Sequence, residues 1–227
     1  MRTLHFLHIG KTGGTALKHA LSGAHLDTEH WKVILHSHQT RLEHIPPGES
    51  VFFFLRDPIS RFVSGFYSRQ RQGLPAYNSP WSKKEKVAFS TFDTPEELAT
   101  ALTSADIHRR LAALAAMSSI RHVRDSYWKW FGSESYFQQR IDDIFFIGRQ
   151  ESLTLDFECL KALLGLDPSI KLPQDDLNAH RNPAACDYRL SATAVDNLRT
   201  WYERDFYLIQ ICGHLQNQMS DRGALHD

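Results

Sequence analysis

Residues 8–15 read His-Ile-Gly-Lys-Thr-Gly-Gly-Thr, and they join an apolar run, Leu4–Ile9, to a stretch with helix-forming composition, Ala16–Ser22. The pattern predicts a strand, a tight turn and a helix. Such a turn leaves several backbone N–H groups pointing outward, and the helix dipole favours an anion beside them. The opening of the chain therefore predicts a grip for phosphate or sulfate.

The side chains of this turn favour the same interpretation. Lys11 supplies a positive charge, and Thr12 and Thr15 supply hydroxyl donors. Gly13 and Gly14 let the backbone approach a ligand closely. The P-loop of NTPases places its lysine after the glycines and its next hydroxyl on magnesium, whereas here the lysine comes first, which disfavours a magnesium-dependent kinase. The alternative is an ordinary strand-to-helix turn.

A second segment repeats this strand, turn and helix pattern. Val51–Leu55 is a continuous apolar run that predicts a buried parallel strand, and Arg-Asp-Pro-Ile-Ser-Arg-Phe-Val-Ser follows it. Asp57 is a predicted helix cap, and Pro58 suits the first helical turn. Arg56 is expected at the carboxyl end of the strand and Ser64 on the helix. Both reach one anion if the strand end folds back over the helix.

A pair of histidines follows another apolar run. Val33–Leu35 predicts a strand, and His36 and His38, two residues apart, are expected to project from one face near its carboxyl end. In open parallel sheets, ligands bind outside the carboxyl ends of the strands, so the three segments converge on one crevice. Imidazole titrates near neutral pH and suits a general base. A metal site and a purely structural pair are the alternatives.

The remaining pattern predicts one α/β domain over 1–227, a three-layer P-loop-like fold with a central, mostly parallel sheet. Helical signals dominate 72–141, which is interpreted as a helical insertion. Another strand is expected at Ile144–Gly148. One last helix is expected at Ala192–Cys212, and the polar tail from Gln216 is expected to fray.

Composition excludes several partners. The chain has 26 basic and 26 acidic residues, so it carries no overall field to hold nucleic acid. No segment approaches the ~20 apolar residues of a transmembrane span, and no signal sequence precedes the first strand. Three widely spaced cysteines suit reduced thiols. These features predict a cytoplasmic protein, with oligomeric state left open.

The lysine turn and the arginine segment, in this order, resemble the sulfotransferases that use 3′-phosphoadenosine 5′-phosphosulfate (PAPS), above all the carbohydrate branch typified by heparan sulfate 2-O-sulfotransferase. The resemblance implies that Lys11–Thr15 binds the 5′-phosphosulfate, whereas Arg56 and Ser64 bind the 3′-phosphate. It also implies that His38 is the base, supported by His36. Arg181 falls in a segment that resembles the loop that closes over the nucleotide.

The resemblance further implies transfer of a sulfuryl group to an acceptor hydroxyl, with a carbohydrate as the expected acceptor and no metal required. Lys11 is expected at the leaving phosphate oxygen, and the 72–141 insertion is expected on the acceptor side. Three alternatives remain open: a metal-independent nucleotide kinase, a binding-only sensor of phosphoadenosine nucleotides, and a metal-assisted hydrolase built on His36 and His38. Glu151, after the Ile144–Gly148 strand, is expected either to orient substrate or to cap a helix.

Overall fold

The computed structural model describes residues 1–22, 26–174 and 189–223, with side chains described through residue 219. Arg181 lies outside the described residues. Two compact units are present. The sheet unit contains the described residues within 1–56, 127–179 and 207–227, and the helical unit contains those within 57–126 and 180–206.

The sheet unit is built on four parallel strands in the order β2-β1-β3-β4. Their bounds are β1 Arg2–Phe6, β2 Trp31–Leu35, β3 Ser50–Leu55 and β4 Ile144–Arg149. Neighbouring parallel strands need crossover connections, and α-helices accordingly separate β1 from β2 and β3 from β4 along the chain. The predicted parallel sheet is confirmed.

The described residues form ten α-helices and two short 3₁₀ turns. In chain order the helices are α1 Gly14–Ser22, α2 Pro58–Gln70, α3 Lys83–Thr91, α4 Pro95–Ala101, α5 Ile107–Ser119, α6 Trp128–Phe131, α7 Glu134–Gln139, α8 Leu153–Leu164, α9 Ala192–Trp201 and α10 Glu203–Gly223. The 3₁₀ turns are Leu42–His44 and Ile141–Asp143.

The sheet unit is a three-layer α/β arrangement, because apolar side chains leave both faces of its strands. On one face, Leu4 and Phe6 of β1 share a buried core with residues of α1 and α8. On the other face, Val51 and Phe53 of β3 share a core with residues of α6, α7 and α10. Burial on both sides accounts for the continuous apolar runs of these strands.

The helical unit has its own core, formed by buried apolar residues of α2, α3, α4, α5 and α9. Asp57 caps α2, since its carboxylate accepts a hydrogen bond from the Ser60 N–H at 2.8 Å, and Pro58 occupies the first turn, as predicted. Ser82 and Glu85 form a capping box at the start of α3. Local capping chemistry therefore sets the helix starts in this unit.

The C-terminal region differs from the prediction of one helix and a fraying tail. Two helices, α9 and α10, are separated at Tyr202, which is buried and donates its hydroxyl hydrogen to the Val123 carbonyl at 2.7 Å. Gln216 lies inside α10. Its amide donates to the Ile147 carbonyl at 2.8 Å and its oxygen accepts from Arg149 at 3.0 Å, so tertiary hydrogen bonds hold this end of the helix.

Candidate active site

The loop between β1 and α1 has the backbone geometry of an anion grip. Lys11 adopts a left-handed conformation at φ 70° and Gly13 at φ 86°. A non-glycine residue in this region costs roughly 1 to 3 kcal/mol, a strain that is concentrated at functional sites. Alternating backbone conformations of this kind turn successive N–H groups towards a common concave surface. The first turn of α1 carries no acidic residue, so its positive end stays available to an anion.

Gly13 and Gly14 of the loop are needed for different reasons. A side chain at Gly13 would be strained by its positive φ. A Cβ atom at Gly14 would lie 2.2 Å from Cδ2 of His8, which is far closer than atoms can approach. Gly14 therefore leaves the space that the buried ring of His8 occupies at the start of α1.

The hydroxyl groups of Thr12 and Thr15 in this loop have different surroundings. Thr12 is buried and donates its hydroxyl hydrogen to the Ile9 carbonyl at 2.9 Å, which closes the turn. The hydroxyl hydrogen expected to face an anion is thus engaged within the loop. Thr15 is exposed in the first turn of α1, and Lys11 is partly buried.

Arg56 directly follows β3 and is held through its backbone. The hydroxyl of Tyr127 accepts from the Arg56 N–H at 3.0 Å and donates to the Arg56 carbonyl at 2.6 Å. Tyr127 is fully buried. Both backbone groups of the residue assigned to the 3′-phosphate are therefore satisfied by one rigid side chain, in a turn where no strand partner would satisfy them.

The rest of the arginine segment belongs to the helical unit. Ser64 is buried in α2. Arg61 is 2% exposed, donates to the Asp125 carbonyl at 2.7 Å and lies 3.8 Å from a carboxylate oxygen of Asp205. The second arginine of the segment is thus part of a buried ionic cluster. Whether Arg56 and Ser64 share an anion stays a prediction.

The two predicted histidines have different surroundings. Strand β2 ends at Leu35, before either histidine, so strand alternation does not extend through the pair. His36 is partly buried, and its ring lies nearly parallel to that of His5, with ring centroids 5.1 Å apart. His38 is exposed, and its ring meets the edge of His8 at 6.1 Å. Each histidine therefore contacts a different partner ring.

A chain of hydrogen bonds links His36 to a carboxylate. Nε2 of His36 lies 2.8 Å from Nδ1 of His5, and Nε2 of His5 lies 2.6 Å from Oε2 of Glu49. Burial, and then the proximity of His5 and Lys18, lower the pKa of His36 below its usual value of 6.5. Sequence analysis missed His5 and Glu49. The available signal was that His5 interrupts the apolar run Leu4–Ile9.

The aromatic cluster at 127–131 also acts on the site. The indole N–H of Trp130 donates to the His38 carbonyl at 3.0 Å, and Tyr127 holds Arg56 as described above. The rings of Trp130 and Phe131 are buried in the core of the sheet unit. Residues that the sequence marks as core therefore position the backbone of two predicted site residues.

Glu151 is exposed and lies two residues before the start of α8. In the first turn of α8, the Asp156 carboxylate accepts from the Arg149 N–H at 2.6 Å and from the Ser152 hydroxyl at 2.8 Å. Across the part of the chain that the structure describes, no group of three or more His, Cys, Asp or Glu side chains is arranged to hold a metal ion. Nor does any described helix combine the length and apolarity needed to cross a membrane.

Comparison with known families defines the class of protein. The model of the sulfotransferase family matches residues 2–209. This match covers most of the chain, and the chain belongs to the sulfotransferase family. The fold agrees, since the strand-loop-helix unit at the N-terminus sits on a parallel sheet of the P-loop-like type. A search of curated proteins finds no match.

Proposed function

We propose that this sulfotransferase uses PAPS as its donor and transfers the sulfuryl group to a hydroxyl of a carbohydrate acceptor. The observation that carries this proposal is the loop of residues 8–15, where Lys11 stands in a left-handed conformation directly before the amide-presenting start of α1. In a member of the sulfotransferase family, such a loop suits the 5′-phosphosulfate end of the donor.

The proposed reaction is an in-line displacement at sulfur. The acceptor oxygen forms a bond to sulfur while the bond from sulfur to the 5′-phosphate oxygen breaks, and negative charge develops on that departing oxygen. Lys11 and the backbone N–H groups of Gly13, Gly14 and Thr15 stabilise this charge. Preorganised donors of this kind each contribute roughly 3 to 4 kcal/mol to a transition state.

Two further groups complete the proposal. Arg56 and Ser64 bind the 3′-phosphate, and the backbone hydrogen bonds of Tyr127 support this role for Arg56 by fixing where its side chain starts. The hydroxyl proton of the acceptor passes to one histidine of the His36 and His38 pair, for which the family resemblance names His38. No metal is required in this scheme. The late loop containing Arg181 is proposed to close over the nucleotide.

Calorimetry with 3′-phosphoadenosine 5′-phosphate (PAP) tests the donor. We expect PAP to bind without magnesium and far more tightly than ATP, because only PAP carries the 3′-phosphate. Arg56→Ala should weaken PAP binding at least tenfold and leave ATP binding nearly unchanged. A preference for magnesium-ATP would contradict the proposal in favour of a kinase.

A transfer assay tests the reaction and the acceptor. PAPS labelled in its sulfuryl group is incubated with a panel of glycans, phenols and peptides, and Lys11→Ala serves as the inactive control. Label on glycans supports the carbohydrate proposal. Tight PAP binding with no transfer to any acceptor would favour a sensor.

The cytoplasm is the proposed compartment. Cys159 and Cys212 are free thiols, and burial raises the pKa of Cys212 to about 12, which keeps it an unreactive core residue. The 72–141 insertion is proposed to serve the acceptor side. Exchange of this segment with that of a relative should change acceptor preference.

A further inference from the structure

We infer that Glu49 and His5 are positioning residues for sulfuryl transfer and that, through them, His36 becomes the proton acceptor for the acceptor hydroxyl. This inference rests on the proposed function and selects between the two histidines of the pair. It depends on a hydrogen-bonded chain, Glu49 to His5 to His36, which we call the histidine relay.

The donor and the acceptor of each hydrogen bond in the relay follow from the chemistry of the Glu49 carboxylate at its end. An ionised carboxylate has only acceptor atoms, so Glu49 accepts from Nε2–H of His5 across 2.6 Å. The relay that we infer has a neutral His5, in which one nitrogen donates and the other accepts, so that Nδ1 of His5 accepts from Nε2–H of His36 across 2.8 Å. The lone pair of His36 then resides on Nδ1. The relay thus leaves an unprotonated nitrogen on His36 before any substrate arrives.

Burial and the neighbouring groups lower the pKa of His36 and so favour its neutral form. His5, its hydrogen-bond partner, is only 4% exposed. Lys18 of α1 already contributes a positive charge that acts on His36. Among the described residues, His5 of β1 and Lys18 of α1 act on His36, and Glu49, on the approach to β3, contacts His5. A neutral His36 at pH 7 is ready to take a proton.

The carboxylate end of the relay is held in place by the preceding loop. Asp143 accepts from the Gly48 N–H at 3.1 Å, immediately before Glu49. Arg140 is 3% exposed, and its guanidinium donates to backbone carbonyls of the same loop. These carbonyls are those of Leu42 at 3.3 Å, Ile45 at 3.1 Å and Pro46 at 3.0 Å. Such a loop holds the Glu49 carboxylate at a constant position relative to His5, which a tautomer-setting device requires.

The two candidate bases are therefore not equivalent. His38 is exposed, and among the described residues no hydrogen bond orients either of its ring nitrogens. The orientation and tautomer of His36 are both set by the relay. In the reaction, the acceptor O–H bond breaks and its proton moves to Nδ1 of His36. The oxygen bonds to sulfur, the sulfur-to-phosphate oxygen bond breaks, and PAP leaves. The imidazolium is stabilised through His5 by Glu49 and later loses its proton to solvent.

The tautomer of His36 tests the relay without any activity measurement. Histidine-labelled ¹⁵N protein is studied by long-range proton-nitrogen NMR at pH 8, and His36→Asn assigns the signal among the thirteen histidines. We expect hydrogen on Nε2 and none on Nδ1 in the unmodified protein. Glu49→Gln can donate as well as accept, so a mixture of tautomers should appear. Glu43→Gln, at an exposed carboxylate of the neighbouring 3₁₀ turn, is the matched control and should leave the His36 signal unchanged.

Transfer kinetics provide the second readout. His36→Asn should lower kcat about 100-fold, in the range typical of a lost general base. Glu49→Gln should lower kcat about tenfold with KM for the donor unchanged, and His38→Asn should lower kcat less than tenfold. The acid limb of the kcat/KM profile of the unmodified enzyme should have its midpoint below pH 6.5, because activity requires neutral His36.

The results of these experiments test the histidine relay and the proposed sulfuryl transfer separately. Hydrogen on Nδ1 of His36, or a 100-fold loss in His38→Asn with normal activity in His36→Asn, would overturn the relay. The expected tautomer together with no transfer from PAPS would overturn the proposed reaction and leave the relay as a structural feature. Thermal unfolding and PAP binding of each variant confirm that it folds.

Discussion

Arg56 and Arg61 stand five residues apart in one sequence segment, yet the two units of the molecule use them differently. In the sheet unit, Arg56 is anchored by its backbone at a strand end and its side chain is only partly buried. In the helical unit, Arg61 is almost completely buried against Asp125 and Asp205. Two arginines of one motif can therefore differ in burial, and the burial of Arg61 beside Asp205 marks it as part of the fold.

The difference extends to the other polar groups of each unit. The sheet unit places a strained lysine, amide groups and the histidine relay at the ends of its strands. The helical unit pairs Arg69 with Glu85, both buried, through hydrogen bonds of 2.8 and 3.1 Å. Substitutions in the first unit should therefore act on catalysis, and substitutions in the second should act on stability.

The largest expected effect is at Lys11. Lys11→Ala should lower kcat for sulfuryl transfer about 10²- to 10³-fold, because the charge on the departing oxygen loses its partner. Lys11→Gly is the matched variant, since glycine accepts the left-handed conformation at φ 70° without strain. Both variants should unfold at or above the temperature of the unmodified protein. Near-normal turnover in Lys11→Gly would show that the backbone N–H groups alone stabilise the charge on the departing oxygen.

The comparison predicts the opposite behaviour at Arg69. Arg69→Ala leaves Glu85 buried without its partner and should lower the free energy of unfolding by about 3 to 5 kcal/mol. Arg124→Ala removes an exposed ion pair of the same unit and should cost less than about 1 kcal/mol. Urea denaturation measures both. Equal losses in the two variants would contradict the structural role assigned to Arg69.

The buried pair of Arg69 and Glu85 should also make the stability of the protein depend on pH in the acid range. Hydrogen bonds from Arg69 and from the Ser82 and Arg121 backbones overcome the effect of burial and lower the pKa of Glu85 from 4.5 to about 2. Because the folded-state pKa is depressed, the stabilisation is complete above pH 4.5 and is lost as the pH falls towards about 2. The loss amounts to roughly 3 kcal/mol. Glu85→Gln should flatten the stability profile in this window, and an unchanged profile would contradict the pairing.

Tyr127→Phe should have a smaller effect that links stability to the site. The substitution removes two hydrogen bonds to the Arg56 backbone and should cost about 1 to 3 kcal/mol of unfolding free energy. It should also weaken PAP binding several-fold, because Arg56 loses its anchor. Tyr207→Phe, which removes an exposed hydroxyl bonded to Glu134 at 2.7 Å, is the control and should leave PAP binding unchanged. If Tyr127→Phe and Tyr207→Phe bind PAP with equal affinity, Tyr127 does not contribute to PAP binding.

Much of the fold was predictable because its signals are local. The strands at 51–55 and 144–148, the Asp57 cap and the stop of α8 at Gly165, where φ is 64°, all follow from short sequence patterns. The burial of individual residues depends on non-local packing and was less predictable. On α5, for example, the large apolar residues Leu111 and Leu114 are 54% and 38% exposed, while Ala113, Ala116 and Met117 are buried, which residue type alone does not reveal.

The sequence by itself determined the parallel α/β class, the strand-loop-helix units and the residue types offered to an anion, because periodicity, glycines and capping residues act within a few positions of one another. Only the tertiary structure decided that His5 and Glu49 join His36, that Tyr127 and Trp130 hold Arg56 and His38, and that Arg61 is buried. These contacts join residues from 31 to 144 positions apart in the chain. No local pattern encodes such pairings, which depend on the order of the strands and on the packing of the core of each unit.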